Sequence, residues 1–249
     1  KLIMSNKSMT VSPIKLDCQN IRLERQRINN ELVYSSIVKN DLVNFNKYIN
    51  THELSRVLEE LDMSKDELID YCRKCDITNR ILSGRISKNA SRQGNKDEDL
   101  QLTTCNITSS KYGIYIENLS ATAYRPTKSG RIIDKKQYDK LNLKKNDCLK
   151  SFDAKIQGKI NGWIFAKVVY GEGGHQDNVF EEAHTLCDWV MNHNDLIGNQ
   201  YYFVLIDTDL IYKFNDLHKK YKDVPYLFIV NNLSFQNYII KNFEQQEID

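Results

Sequence analysis

No run of apolar residues in this 249-residue chain approaches the roughly 18 that a membrane-spanning helix needs. No signal-peptide pattern is visible at its start. The expectation is a cytoplasmic protein with no membrane partner. Charge of one sign is also scarce: the formal net charge is +2, so whole-chain charge does not announce nucleic-acid binding, and any basic footprint must be local. A disulfide framework is missing too. The six cysteines, Cys18, Cys72, Cys75, Cys105, Cys148 and Cys187, are scattered along a long chain, which points to reduced thiols. Cys72 and Cys75 form a C-x-x-C, but no second pair with zinc spacing follows. His184 and Cys187, spaced for one helix face, lie far away in sequence. Buried thiols on a helix face are expected there. There is no internal repeat, and no Gly-Lys-Ser/Thr follows the glycines at 171, 173 and 174, which excludes a P-loop.

What the chain does contain is an ordinary globular composition, 41% hydrophobic and 27% charged, with length for one large domain or two small ones. Residues 1 to about 80 read as helical. Ile21–Leu32 and Leu42–Ile49 carry helical patterns, and Leu54, Val57, Leu58 and Leu61 make a clear stripe. Ser64 and Glu67 form a capping-box pattern for Lys65–Lys74, and a further short helix, Asn79–Ser83, is expected to close at Gly84. These short helices resemble a helix-turn-helix unit, with a plain helical subdomain as the alternative. A basic stretch follows, with Arg85, Lys88 and Arg92 in a small, polar context suited to phosphates; a solvated linker has the same composition. From Gln101 the pattern suggests strand, through Leu102, Thr104 and Ile107 to Tyr112–Ile116. Between Arg125 and Lys150 nine cations face three acids, a second basic patch. Beyond it buried-type strands at Tyr201–Ile206 and Tyr226–Val230 alternate with helices, the last of them, Phe235–Phe243, capped by Ser234. The fold class expected is α/β, a mixed central sheet flanked by helices. The boundaries expected are a helical N-terminal subdomain over 1–86 and the α/β domain over 87–249, with a basic insertion around 124–150.

The chemistry concentrates between Lys150 and Glu182. Asp153 sits on the first arm of a hairpin turned at Gly158–Gly162. Lys167 stands in the middle of an otherwise apolar second arm, Trp163–Tyr170, where a charge is costly unless paired. Glu181 follows in the next helix. An acid, a lysine and another acid at the end of a twisted hairpin suit a divalent metal beside a cation; Mg²⁺ takes hard oxygen ligands and keeps room for a substrate phosphate. Gly173, Gly174, His175, Gln176 and Asn178 open that helix. The bland reading is a cap; the sharper one is a backbone and polar surface that meets phosphate and base edges. Asp207 and Asp209, ending a strand, are expected to cap turns, and Trp163 and Trp189 to be core. His52, His193 and His218 are expected at the surface.

Asp153, a short gap and a strand bearing x-x-Lys resemble the PD-(D/E)XK nuclease superfamily, in particular type II restriction endonucleases. Tyr170-Gly171-Glu172-Gly173-Gly174-His175 is similar to a glycine-rich corner in some of those enzymes. Arg92-Gln93-Gly94-Asn95-Lys96-Asp97-Glu98 resembles the R-x-G-x-x-x-E start of their first core helix, whose Glu lies near the metal. The resemblance covers about Lys88 to Phe243. It implies a restriction-endonuclease-like core, Mg²⁺-dependent cleavage of double-stranded DNA, and a homodimer. It implies the site Asp153, Lys167, Glu181 and Glu98, with Asp153 and Glu181 on the metal. One departure matters: the acid expected two residues before the lysine is replaced by Phe165. In one subgroup the acid has migrated to the next helix, a spacing Glu181 satisfies. An alignment through the Tyr170 corner instead puts the acid position at Ala166, the mark of an inactivated site, and moves the lysine position to Val168. Other classes stay open: a sequence-specific DNA-binding protein that does not cleave, and a structure-specific repair or RNA-processing nuclease.

Overall fold

The computed structural model describes residues 12–171 and 174–244, with side chains for all of these except 92, 94, 174–177 and 194–197. Two compact units result: Asp17–Gly94, and a larger one made of 95–244 together with 12–16. The division falls at Gly94 rather than at 86. Ser87 pairs with Ile49, Asn29 donates to the Lys88 carbonyl and the Ala90 N–H donates to Gln26, so 87–92 stay with the helices.

The smaller unit holds α1 (Cys18–Lys39), α2 (Leu42–Tyr48), α3 (Thr51–Leu61), α4 (Lys65–Lys74) and α5 (Asp76–Ile86). Their starts are written in the sequence. Asp17, Asp41 and Asn50 each accept a backbone N–H of the first turn, and Ser64 with Glu67 completes a capping box. Val33, Ile37, Phe45, Val57, Leu68, Cys72 and Ile86 form the core. α5 runs through Gly84 to Ile86 instead of closing at the glycine, because the chain pairs at Ser87 and only then leaves the helix. Cys72 belongs to this core, and burial pushes its thiol up to about 11, so it is a core thiol and a poor thiolate ligand.

The larger unit contains α6 (Gly94–Ser109), β1 (Ile114–Asn118), the small ribbon β2 (Tyr124–Pro126) and β3 (Ile132–Asp134), and α7 (Lys135–Lys140). It continues with β4 (Ala154–Gly158), β5 (Gly162–Val169), α8 (Gly174–Ile197), β6 (Tyr201–Thr208), α9 (Ile211–Tyr221), β7 (Leu227–Val230) and α10 (Asn232–Phe243). The main sheet runs β1-β4-β5-β6-β7. β1, β4 and β5 are antiparallel neighbours; β5, β6 and β7 are parallel. It is a mixed sheet flanked by helices. Trp163, Phe165 and Val169 pack on one face with α8 and α9, and Ile164 and Ala166 pack on the other with α6 and α10. Trp163 and Trp189 are both core. His193 is half-buried against the Trp189 carbonyl rather than on the surface. Among the described residues no helix is long and apolar enough to cross a membrane.

Two expectations change here. Gln101–Ile107 is helical, within α6. The buried residues described in that helix, Asp97, Gln101, Leu102, Thr104, Cys105, Thr108 and Ser109, recur at helical spacing, but most are polar, so no apolar stripe announced the helix. The last helix begins at Asn232; Asn231 is its cap, and Ser234 is the third-residue partner in a capping box. The polar face of α6 has a reason. The Thr108 hydroxyl donates to Gln236 Oε1 at 2.6 Å, and the Cys105 thiol donates to Asn232 Oδ1 at 3.2 Å. Gln236 and Asn232, both buried, also grip Ile14: its N–H donates to Gln236 Oε1, and its carbonyl accepts from both carboxamides.

Gly162 lies where β5 meets the start of β6, and a Cβ there would run into the Tyr201 carbonyl. Gly162→Ala is expected to lower the free energy of unfolding by about 1–3 kcal/mol, read as a lower urea midpoint at unchanged slope.

Candidate active site

β5 outruns β4. The ladder pairs Ala154 with Ile164, and beyond it the edge of β5 lacks a strand. Asp153, one residue before β4, fills that gap. Its N–H donates to the Ile164 carbonyl at 2.9 Å, and its carbonyl accepts from Leu119 N–H at 2.9 Å. Its side chain then takes the unpaired Ala166 N–H, which donates to Oδ2 at 2.9 Å. The carboxylate stands in for a missing backbone acceptor, which fixes it without a neighbouring helix or loop.

The same oxygen accepts from Lys167 Nζ at 3.1 Å. Lys167 also donates to Glu98 Oε1, in the early part of α6, at 3.0 Å, and to the Ala166 carbonyl at 2.6 Å. Its side chain is 9% exposed, against 24% for Asp153 and 22% for Glu98. Burial works against the Lys167 charge, and the attraction of Asp153 and Glu98 outweighs it, so the ammonium is held above its ordinary value. Glu98 is pushed up chiefly by burial, which exceeds the pull of Lys167. The attraction between the two is common to both; burial outweighs it at Glu98 and not at Lys167. Phe165, two residues earlier on the same face, places its ring centroid 5.0 Å from Nζ.

Gln101, one turn after Glu98 and fully buried, braces this arrangement. Its Nε2 donates to Asp207 Oδ2 at 2.6 Å and to the Lys167 carbonyl at 3.3 Å. Asp207, at the end of β6, is pushed up by burial and also accepts the first N–H of α10. α6 is thereby tied to β5 and β6 beside Glu98. Asp209 accepts the Gly171 N–H at 3.0 Å. Both strand-end aspartates serve backbone groups.

Glu181 is exposed on α8. With Asn178, Thr185, Glu182, Lys150 and Phe165 it lines a pocket of about 330 Å³. Lys150 and Glu182 pair across its rim at 2.7 Å, and the Lys150 charge reaches Glu98, where it is the smallest of the influences on that group. Lys167 pairs with Glu98 and Asp153, and Glu181 stands on the pocket wall instead. No three His, Cys, Asp or Glu side chains among the described residues gather as a metal-ligand group. His184 Nδ1 meets the Tyr221 hydroxyl, and burial pushes the Cys187 thiol up to about 12.

Of the expected DNA contacts, Arg85 pairs with Glu60 at 2.6 Å and Lys88 donates to the Lys47 carbonyl, both within the helical unit. Asn178 is exposed on the pocket wall. Gly173 and the side chains of Arg92, His175 and Gln176 lie outside the described residues; Gly174 opens α8. Ala166 is fully buried on the opposite face of the sheet from Lys167, among Ile164, Leu205 and Phe235. An acid there would lie in apolar core. The position on the lysine's face is Phe165. Gln101 and the Ala166 carbonyl were not expected in the site: one lies in a stretch read as strand, and the other is a main-chain group that spacing does not flag.

The chain matches no protein-family model, no curated protein and no solved structure.

Ala166→Glu is expected to destabilise the fold by about 3 kcal/mol or more, because it buries an unpaired carboxylate; chemical denaturation measures it. Lys167→Met leaves two carboxylates facing each other and should cost about 3 kcal/mol at pH 7. The pH dependence has a definite sign. A lysine held above its unfolded value stabilises fully below about pH 10.4 and loses that contribution as pH rises through the folded value. The deficit of Lys167→Met should therefore narrow at strongly alkaline pH, and also in acid, where the carboxylates protonate. Urea unfolding of both proteins across pH checks this.

Proposed function

We propose that this chain is a Mg²⁺-dependent endonuclease of the type II restriction class, cutting phosphodiester bonds of double-stranded DNA at a short site. The observation that carries the reading is the convergence of Asp153, Glu98 and Lys167 where β5 leaves its antiparallel neighbour. The order α6, β1, β4, β5, α8, β6, antiparallel and then parallel, is also the order of helix, strands, Asp hairpin, Lys strand, helix and strand that the PD-(D/E)XK resemblance implies.

The donor set fits the ion. Mg²⁺ takes hard oxygens, commonly one or two carboxylates, with waters and substrate phosphate completing the shell. Asp153 and Glu98 are partly exposed carboxylates, and the Ala166 carbonyl lies with them around one point. These groups would hold the ion, with Glu98 taking the place first given to Glu181. A bound Mg²⁺ supplies a more acidic water and stabilises charge on the phosphoryl oxygens. The protein's share is positional. Asp153 is fixed by the Ala166 N–H, Gln101 locks the helix that carries Glu98, and the Lys167 ammonium orients water or offsets phosphoryl charge. The nine cations between Arg125 and Lys150 supply a phosphate-binding surface. Two copies related by a two-fold axis would serve two strands of a palindromic site.

Incubation of the purified chain with plasmid DNA of mixed sequence and Mg²⁺ tests the reading. Discrete fragments are expected; a smear indicates a non-specific nuclease, and no cutting in Mg²⁺ or Mn²⁺ overturns it. Asp153→Asn should reduce the rate by about 10²-fold or more.

A further inference from the structure

Lys167 is fully engaged. An ammonium has three protons, and those of Lys167 go to three oxygens: the Ala166 carbonyl at 2.6 Å, Glu98 Oε1 at 3.0 Å and Asp153 Oδ2 at 3.1 Å. Held this way it has no proton left for a water or a phosphate. Yet these three oxygens are the hard donors that the proposed function assigns to a divalent cation. An ammonium and a divalent cation cannot share them, because at such separations their repulsion inside a poorly hydrated site is strong.

We infer that in the metal-free protein the Lys167 ammonium occupies the position of the metal, and that Lys167 withdraws from the three oxygens when the site is loaded. This rests on the functional reading above. The route we infer runs along Phe165. Phe165 stands where an acid would otherwise pin the lysine, and its ring centroid is 5.0 Å from Nζ. The ring also lines the 330 Å³ pocket that carries Glu181 and Asn178. An aromatic face attracts a cation without binding it in one place, so the side chain can slide outward along the ring. A carboxylate at 165 would hold it. In this account the aromatic residue at the expected acid position is what lets the lysine move. The same contact that lets the free protein keep two carboxylates together also competes with the cofactor. The withdrawn lysine regains its protons for water or phosphate only after loading.

The competition is read without DNA. Isothermal titration of Mn²⁺ into the wild-type chain and into Lys167→Met should show the variant binding at least tenfold more tightly, since nothing then has to leave. Equal or weaker binding by the variant overturns the exchange. Should the variant not fold, ¹⁵N-lysine spectra of the wild type decide. A hydrogen-bonded, slowly exchanging ammonium signal is expected without metal and should be lost on adding Mg²⁺; its persistence at saturating Mg²⁺ overturns the proposal. The two ideas fail differently. DNA cutting together with equal metal affinities removes only the exchange. Absence of metal binding by both proteins removes the functional reading itself.

Discussion

A buried ammonium is the constraint around which the larger unit is built. Lys167 lies in a strand that is otherwise core on both faces, and no apolar arrangement could tolerate it unpaired. Three separate pieces of chain meet its demand: the residue before β4, the early part of α6, and the carbonyl of its own neighbour. Each has to arrive with its backbone already fixed. Asp153 is fixed because β5 overhangs β4 and offers an unpaired N–H. Glu98 is fixed because Gln101, a turn later, is bonded to the ends of β5 and β6. The geometry of the site follows from satisfying one charge.

That requirement also explains a helix face that looks wrong for a core. α6 buries Gln101, Thr104, Thr108 and Ser109. These residues would weaken a purely apolar interface, but here Gln101 meets Asp207 and Thr108 meets Gln236, while the neighbouring Cys105 thiol meets Asn232. A run of buried polar bonds leads from the Lys167 carbonyl through Gln101 and Asp207 to the first N–H of α10. Apolar side chains can slide over one another, whereas hydrogen-bonded amides and carboxylates have one register. α6 is therefore held to the sheet in a single rotational setting, the one that presents Glu98 to Lys167.

Much of this was legible in the sequence, and what was not has definite reasons. The hairpin, the lysine strand and the alternation of helix and strand after it were readable because apolar residues there follow the periods of their elements. The capping box at Ser64 was readable because capping is local. α6 was hidden by its polar buried face, which leaves no apolar period. At the site, Asp153, Lys167 and Glu98 were named from spacing and resemblance, and the structure brings them together. Glu181 was named by the same reasoning and stands on a different wall, because spacing along a helix does not specify its rotation about the axis. Ala166 was open from sequence; its side chain lies in apolar core, on the face opposite that of Lys167. The Ala166 carbonyl could not be read, because main-chain groups carry no sequence signal.

The grip on Ile14 has a different kind of consequence. Gln236 and Asn232 hold that residue only through its peptide N–H and C=O, and its side chain remains exposed. The latch is blind to residue identity. Every side chain leaves these bonds available except proline, which has no N–H to give. The anchorage of the leading segment is thus encoded on the last helix, more than two hundred residues away, and it is there that drift would loosen it.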